Sequence, residues 1–255
     1  MRLVLLGFII SIPVILLNCQ NKSLNTYYRG AIIRGDTTIQ QIALVFTGDE
    51  FADGGDYIYE VLNTNNVKAS FFFTGNFYRN PENEQLIKKL ISDRHYLGAH
   101  SDRHLLYCDW ENRDSLLVDF KEFSADLENN YLAMKEYGID KDDAKYFLPP
   151  YEWYNDTISS WCRINEVQLV NYTPGTLSHA DYTSPEMPNY RSSSEIYRSI
   201  TEYESGSESG LNGFILLLHI GTTPERTDKF YSLLPELISE LEDKGYSFRR
   251  IDELL

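Results

Sequence analysis

Phe214-Ile215-Leu216-Leu217-Leu218-His219 is the most apolar of the strand-like segments in the chain. Its five apolar residues do not alternate with polar ones. That pattern is expected of a strand covered on both faces, as in a parallel sheet flanked by helices. Two more runs read the same way: Ile42-Ala43-Leu44-Val45-Phe46, and Val67 to Thr74 with Phe71-Phe72-Phe73 at its centre. Shorter extended segments are expected at Gly30–Arg34, Tyr96–Ala99, Tyr146–Leu148, Val167–Asn171 and Tyr246–Arg249. Between them lie stretches with helical spacing. These are Tyr57–Leu62, a helix opened by Pro81, Leu116–Tyr137 stopped by Gly138, a helix marked by Ile158, Trp161 and Cys162, one capped within Ser192–Ser194, and Phe230–Leu241.

Strands and helices alternating over about 220 residues imply parallel βα units, and no linker divides residues 30–255. The count of strong strands fits an α/β fold of the distorted or incomplete (β/α) barrel kind. In such folds, chemistry gathers where strands end. The candidate positions are therefore Thr47–Asp53, Thr74, His100, Pro149–Glu152, Tyr172–Thr176 and His219.

Composition narrows the function. The 255 residues carry 23 Lys and Arg against 38 Asp and Glu, a formal charge of −15. Neither a nucleic-acid binder nor a polybasic membrane-surface protein is built this way. Hydrophobic residues at 42% exclude an intrinsically disordered chain. Aromatic residues at 14% admit stacking on sugar rings. At the N-terminus, Arg2 leads an apolar run from Leu3 to Leu17, and Cys19 follows. The run is too short to span a bilayer and reads as a secretory signal over residues 1–18. Cys19 is placed like the lipidated first residue of a bacterial lipoprotein. The expectation is a protein of the bacterial cell envelope, touching membrane only through lipid on Cys19, with 19–29 as tether. Cys108 and Cys162 admit one disulfide or two free thiols.

His100-Ser101-Asp102-Arg103-His104 is the strongest chemical feature. Two imidazoles four apart on a helix or helical turn share a face and can share one metal, completed by a carboxylate. His219, at the end of its strand, is a candidate general acid.

These residues resemble the polysaccharide deacetylases of the NodB-homology type, carbohydrate esterase family four, over roughly 40–255. The motif His-Ser/Thr-x-x-His stands as His100–His104, and the motif Leu-x-His as Leu217-Leu218-His219. Asn66–Gly75, Gly98 and Lys244-Gly245-Tyr246-Ser247-Phe248 match as well. The resemblance implies a distorted βα barrel and removal of acetyl groups from sugars. It also implies one divalent metal (zinc first, with cobalt, nickel or manganese as alternatives) held by an Asp and two His. It makes His219 the general acid and Leu217 a wall of the acetyl pocket.

Three motifs depart from the family pattern. Where Thr-Phe-Asp-Asp-Gly is usual, the chain reads Val45-Phe46-Thr47-Gly48-Asp49. Thr47 then stands at the base and Gly48 at the metal carboxylate. A one-residue shift offers Asp49 as ligand, with Glu50 and Asp53 as alternatives. Arg-Pro-Pro-Tyr becomes Leu148-Pro149-Pro150-Tyr151, so the base and its Arg partner are lost together. The Tyr151 N–H remains for the oxyanion, and Glu152 reads either as a replacement base or as a solvated loop carboxylate. Asp-x-x-x-Trp is replaced by Tyr172-Thr173-Pro174-Gly175-Thr176, without the Asp that tunes the acid. Tyr107, Trp110, Tyr151 and Trp153 flank these segments as groove residues. The expectation is a monomeric, divergent metal-dependent deacetylase of acetylated carbohydrate. The alternative is an inactive, envelope-anchored carbohydrate-binding relative. The net charge suits a neutral or cationic glycan better than an acidic one.

Overall fold

The computed structural model describes residues 24–255, and the expected signal segment and Cys19 lie outside them. In chain order the elements are β1 (Thr26–Tyr28), β2 (Ala31–Arg34), β3 (Gln41–Gly48), α1 (Gly55–Thr64), β4 (Ser70–Phe73), α2 (Gly75–Arg79), α3 (Glu84–Ser92), β5 (Tyr96–Ala99) and α4 (Phe120–Lys135). There follow β6 (Tyr146–Phe147), α5 (Asp156–Ile164), β7 (Gln168–Leu169), α6 (Ser193–Gly206), β8 (Phe214–His219), α7 (Leu234–Asp243), β9 (Ser247–Phe248) and α8 (Ile251–Leu254).

The sheet order is β1-β2-β8-β3-β4-β5-β6-β7, with β9 also against β3. Strands β8, β3, β4, β5, β6 and β7 run parallel to one another, while β2 pairs antiparallel with both β1 and β8. A bridge between Ile32 and Val170 and a 2.9 Å bond from Asn171 N–H to the Ile32 carbonyl bring the two ends of the sheet together. The result is the expected distorted barrel.

The apolar runs are continuous because both faces are covered. Ala43, Val45, Phe72, Ile215 and Leu217 fill the barrel interior with Ile32, Leu148 and Val170. Their neighbours Leu44, Phe46, Phe71, Phe73, Leu216 and Leu218 belong to the larger core under the helices. Parallel register then sets the rim. Thr47 lies beside His219, Gly48 beside Phe73, and Phe73 beside Ala99. The residues that follow these strand ends therefore converge on one mouth.

Some boundaries differ from the sequence reading. The helix expected from Leu116 begins at Phe120, because the Asp119 side chain accepts from Glu122 N–H and caps it there, while Leu116 bridges to Cys108. Phe230–Leu233 is a 3₁₀ turn leading into α7. Thr26–Tyr28, expected within a tether, pairs with β2. Cys108 and Cys162 are free and buried, so no disulfide joins them. Among the described residues no helix is long and apolar enough to cross a membrane.

Gly48 ends β3 in a confined space. A Cβ there would lie 2.7 Å from Ile220 Cγ2, 2.9 Å from Phe73 Cδ1 and 3.0 Å from Phe77 Cε2. Gly48→Ala should therefore destabilise the fold by about 1–3 kcal/mol through overpacking. Urea denaturation should show a lower midpoint at unchanged slope; an unchanged midpoint would contradict this packing.

Candidate active site

The mouth is a cavity of about 730 Å³ that brings together Asp49, His100, His104, Tyr151, Glu152 and His219. His100 directly follows β5. Its N–H donates to Asn130 Oδ1 at 2.8 Å, and its Nδ1 bonds the Leu148 carbonyl at 2.8 Å. The carbonyl fixes the tautomer and leaves Nε2 as the ligating nitrogen. The segment from His100 to His104 is a bend rather than the expected helical turn, with Ser101 at φ 72° and His104 at φ 55°. Left-handed backbone is uncommon for such residues and persists only when the surroundings impose it.

Asp126 of α4 imposes it. Its fully buried carboxylate accepts from Ser101 Oγ (2.6 Å), Asp102 N–H (3.0 Å), Arg103 N–H (3.2 Å) and Tyr107 Oη (3.2 Å). The start of α2 holds the other side, with Gly75 and Asn76 N–H groups donating to the Ser101 and Asp102 carbonyls at 3.1 Å each. Gly75 is required by this approach, since a Cβ there would fall 1.9 Å from Asp102 Oδ1. The bend places the two imidazole rings 5.1 Å apart and sets His104 4.4 Å from the Tyr151 ring. Burial lowers the pKa of both histidines, most strongly at His100; Asp49 opposes the shift at His104. Both are thus neutral imidazoles, the form that binds metal.

Asp49 reaches the cavity, but its Oδ1 accepts from Thr74 Oγ1 at 2.7 Å and Asn76 Nδ2 at 3.3 Å. Among the described residues no three His, Cys, Asp or Glu side chains come close enough together to hold an ion. The two imidazoles fit a divalent cation in chemistry and tautomer, and Asp49 is engaged elsewhere. Asp53 is a structural clamp, accepting from Thr222 N–H (2.7 Å) and Tyr231 Oη (3.1 Å) and pairing with Lys229 (2.9 Å).

His219 is better equipped than the sequence reading allowed. Asp181 Oδ1 lies 2.6 Å from His219 Nδ1, and Asp181 Oδ2 accepts from the His219 N–H at 2.9 Å. The tuning carboxylate is therefore present, displaced from the expected Tyr172–Thr176 segment. Tyr182 lies 5.1 Å from the His219 ring and takes the place of the missing aromatic wall. The acidic–aromatic pair Asp181-Tyr182 was the available signal. Arg226, fully buried, clamps this loop by donating to the carbonyls of Thr183 (2.5 Å) and Arg191 (3.0 Å). Burial alone would lower the His219 pKa, but the Asp181 charge and hydrogen bond prevail and raise it.

Thr47 stands where the family has its base, 2% exposed, its Oγ1 without a hydrogen-bond partner among the described residues. Leu148, in the place of the family Arg, fills the barrel interior. Tyr151 and Glu152 both occupy left-handed backbone, at φ 59° and 53°, and Asn171 Nδ2 holds the Glu152 carbonyl at 2.9 Å. Glu152 is drawn into the cavity rather than solvated on a loop. Burial pushes its carboxyl up to about 7, with His219 opposing and Asp181 adding to the rise.

Trp110, Tyr151 and Trp153 line the cavity, with the Trp110 ring centroid 5.5 Å from each of the other two. Tyr107 does not line it. It is completely buried, with its ring against Phe123 and Phe147 and its hydroxyl on Asp126, which makes it a support of the bend. Leu217 is likewise buried in the barrel interior, in register with Val45 and beneath the Thr47–His219 pair. His179, stacked 4.5 Å from Tyr172, is a cavity residue that sequence reasoning missed.

Two outcomes follow from this geometry. Asp126→Ala strands four buried or partly buried donors, each worth ~1–3 kcal/mol, and should destabilise the protein by about 3 kcal/mol or more in urea titration. Asp181→Asn should lower the His219 pKa, read by NMR titration. The sign follows from linkage: stability from the raised pKa is present below the ordinary 6.5 and lost as pH rises through the folded value. The variant should therefore lose stability mainly at acidic pH.

Residues 34–170, more than half of the chain, match the polysaccharide deacetylase family model. Uncharacterized protein YlxY of Bacillus subtilis (strain 168) is 26% identical over 79% of this chain; the chain spans about half of that relative, 54%. Peptidoglycan-N-acetylmuramic acid deacetylase PdaA of the same organism is 24% identical over 88% of this chain and 75% of its own length. In structure, BA3943 of Bacillus anthracis, described as a CE4 family pseudoenzyme, superposes with a TM-score of 0.68 at 17% identity, over 89% of this chain and 69% of that one. A mutant of BA3943 is described as having restored enzymatic activity. The family match, with the histidine bend and the carboxylate-held His219 on a distorted barrel, shows that the chain belongs to the polysaccharide deacetylase family as a divergent member.

Proposed function

We propose that the protein is a metal-dependent hydrolase that removes acetyl groups from carbohydrate, with Glu152 as its base. The observation that carries this reading is the carboxylate-held His219 in one cavity with the two neutral imidazoles and the half-buried Glu152. His100 and His104, with Asp49 turned from Thr74, would hold a divalent cation, zinc first; such an ion lends Lewis-acid polarisation to the acetyl carbonyl. Glu152, with a pKa of about 7, takes the proton from the attacking water. The Tyr151 N–H donates to the developing oxyanion. His219, protonated and oriented by Asp181, gives its proton to the departing sugar nitrogen or oxygen. Trp110 and Tyr151, both exposed, offer their faces to the sugar beside the half-buried Trp153. The named deacetylase relatives support acetylated polysaccharide, peptidoglycan among them, as the substrate class. We further propose that the chain acts as a monomer in the bacterial cell envelope, held by lipid on Cys19.

A second reading, a carbohydrate-binding relative without turnover, is favoured by Thr47 and the confined Gly48 at the two family carboxylate positions. Acetate release from N-acetylated and O-acetylated oligosaccharides by zinc-loaded protein separates the two. Under the first reading turnover occurs, chelation abolishes it, and Glu152→Gln lowers kcat by ~10²–10⁴. Glycan binding with no acetate released across the panel would establish the second.

A further inference from the structure

The cavity carries carboxylates at Asp49, Glu50 and Glu152, and among the described residues lining it Arg113 is the one lysine or arginine. Its guanidinium lies 3.4 Å from the centroid of the Trp153 ring and 5.9 Å from that of Tyr154. Trp153 is itself pinned, its Nε1 donating to the Asp109 carbonyl at 3.2 Å. The Arg113 backbone is fixed too, because its carbonyl accepts from Asn155 Nδ2 at 3.0 Å. The guanidinium thus stands in one place over an aromatic face before any ligand arrives.

Its charge is unmet. Arg113 forms no ion pair among the described residues, and the one hydrogen bond its side chain donates there is a long 3.5 Å contact from Nη1 to Tyr28 Oη. The adjacent Asp114 pairs with Arg29 at 2.8 Å instead, as does Asp156 at 3.1 Å. Arg113 Nε is buried without a partner. A half-buried guanidinium with free terminal donors and one sealed nitrogen is a site for an anion, and its planar fork matches a carboxylate. Trp110 stands 5.5 Å from Trp153 and is 55% exposed, which leaves a ring-sized aromatic surface beside the cation. In a chain of formal charge −15, long-range electrostatics disfavour anionic ligands, so a local cation is what admits one.

We infer that Arg113, stacked on Trp153 beside Trp110, forms a subsite for an acetylated sugar that carries a carboxylate. This rests on the acetyl-sugar reading above and departs from the preference for neutral or cationic glycans drawn from net charge alone. The sugar ring lies on the exposed face of Trp110, beside the Arg113-covered Trp153, and its carboxylate accepts from the terminal nitrogens of Arg113. The acetyl group then points toward His219 and Glu152. Arg113 is a specificity residue and takes no part in the proton transfers.

Three matched probes test this: N-acetylmuramic acid, its uncharged methyl ester, and N-acetylglucosamine, each titrated calorimetrically into the full chain. The acid should bind at least about tenfold more tightly than the ester or N-acetylglucosamine, as a charge-assisted bidentate pair requires. Arg113→Met, which keeps an apolar stem on Trp153, should erase the difference and leave affinity for the two neutral sugars within about twofold. Arg113→Lys should retain part of it, because an ammonium keeps the charge but not the fork. Equal affinity for acid and ester, or a preference that survives Arg113→Met, overturns the subsite alone while the neutral sugars still bind. If none of the three binds and acetylated oligosaccharides release no acetate, the acetyl-sugar reading falls and takes the subsite with it.

Discussion

One buried helix face organises the mouth of this barrel. Asp126 and Asn130, four residues apart on α4, point the same way into the gap between β4, β5 and the bend that follows. Asp126 gathers four donors from Ser101 to Tyr107. Asn130 accepts from His100 N–H and donates to the Phe73 carbonyl, tying the end of β5 to the end of β4. The two left-handed residues in the bend are strained in isolation, and the hydrogen bonds outweigh that strain. Ring positions that a metal or substrate would use are therefore set by a helix that itself never reaches the cavity.

The departures from the family motifs form a physically consistent set. A strand-end carboxylate and a buried Arg stabilise each other, and either one alone would be an uncompensated charge. Here Thr47 and Leu148 stand in both places, one a small hydroxyl and the other an interior apolar side chain. On the other side, His219 keeps a carboxylate partner in Asp181, and the Arg226 clamp holds the loop that carries it. The departures are concentrated around one cavity, which Glu152 also lines.

Much of this was legible from residues alone. The uninterrupted apolar runs at Ile42–Phe46 and Phe214–Leu218 announced strands covered on both faces, and the barrel interior and outer core divide those same residues between them. The histidine pair and His219 were readable from type and position. Asp126 was not, because a carboxylate on an amphipathic helix ordinarily faces water, and only the packing of α4 against the bend shows otherwise. Asp181 was hidden by chain path: the loop from Tyr172 wanders before returning to His219, so a motif read by fixed distance from the strand missed it. Tyr107 misled for the opposite reason. Its sequence proximity to Trp110 suggested the groove, yet Phe123 and Phe147 offered it a closed aromatic pocket, and its hydroxyl found a buried acceptor.

Gly48 gives the divergence of this chain a direction in evolutionary time. The space that a carboxylate would need there is taken by Ile220, Phe73 and Phe77, all of them buried. Residues in contact do not change independently, so the fitness of one substitution depends on whether its neighbour has already yielded. A lineage carrying this arrangement must first trim one of those side chains, leaving a void of no immediate use, before an acidic residue at this position is tolerated. A carboxylate at this position is thus separated from the present sequence by an ordered pair of steps, whereas Asp49, Glu50 and Glu152 already stand around the mouth and require none.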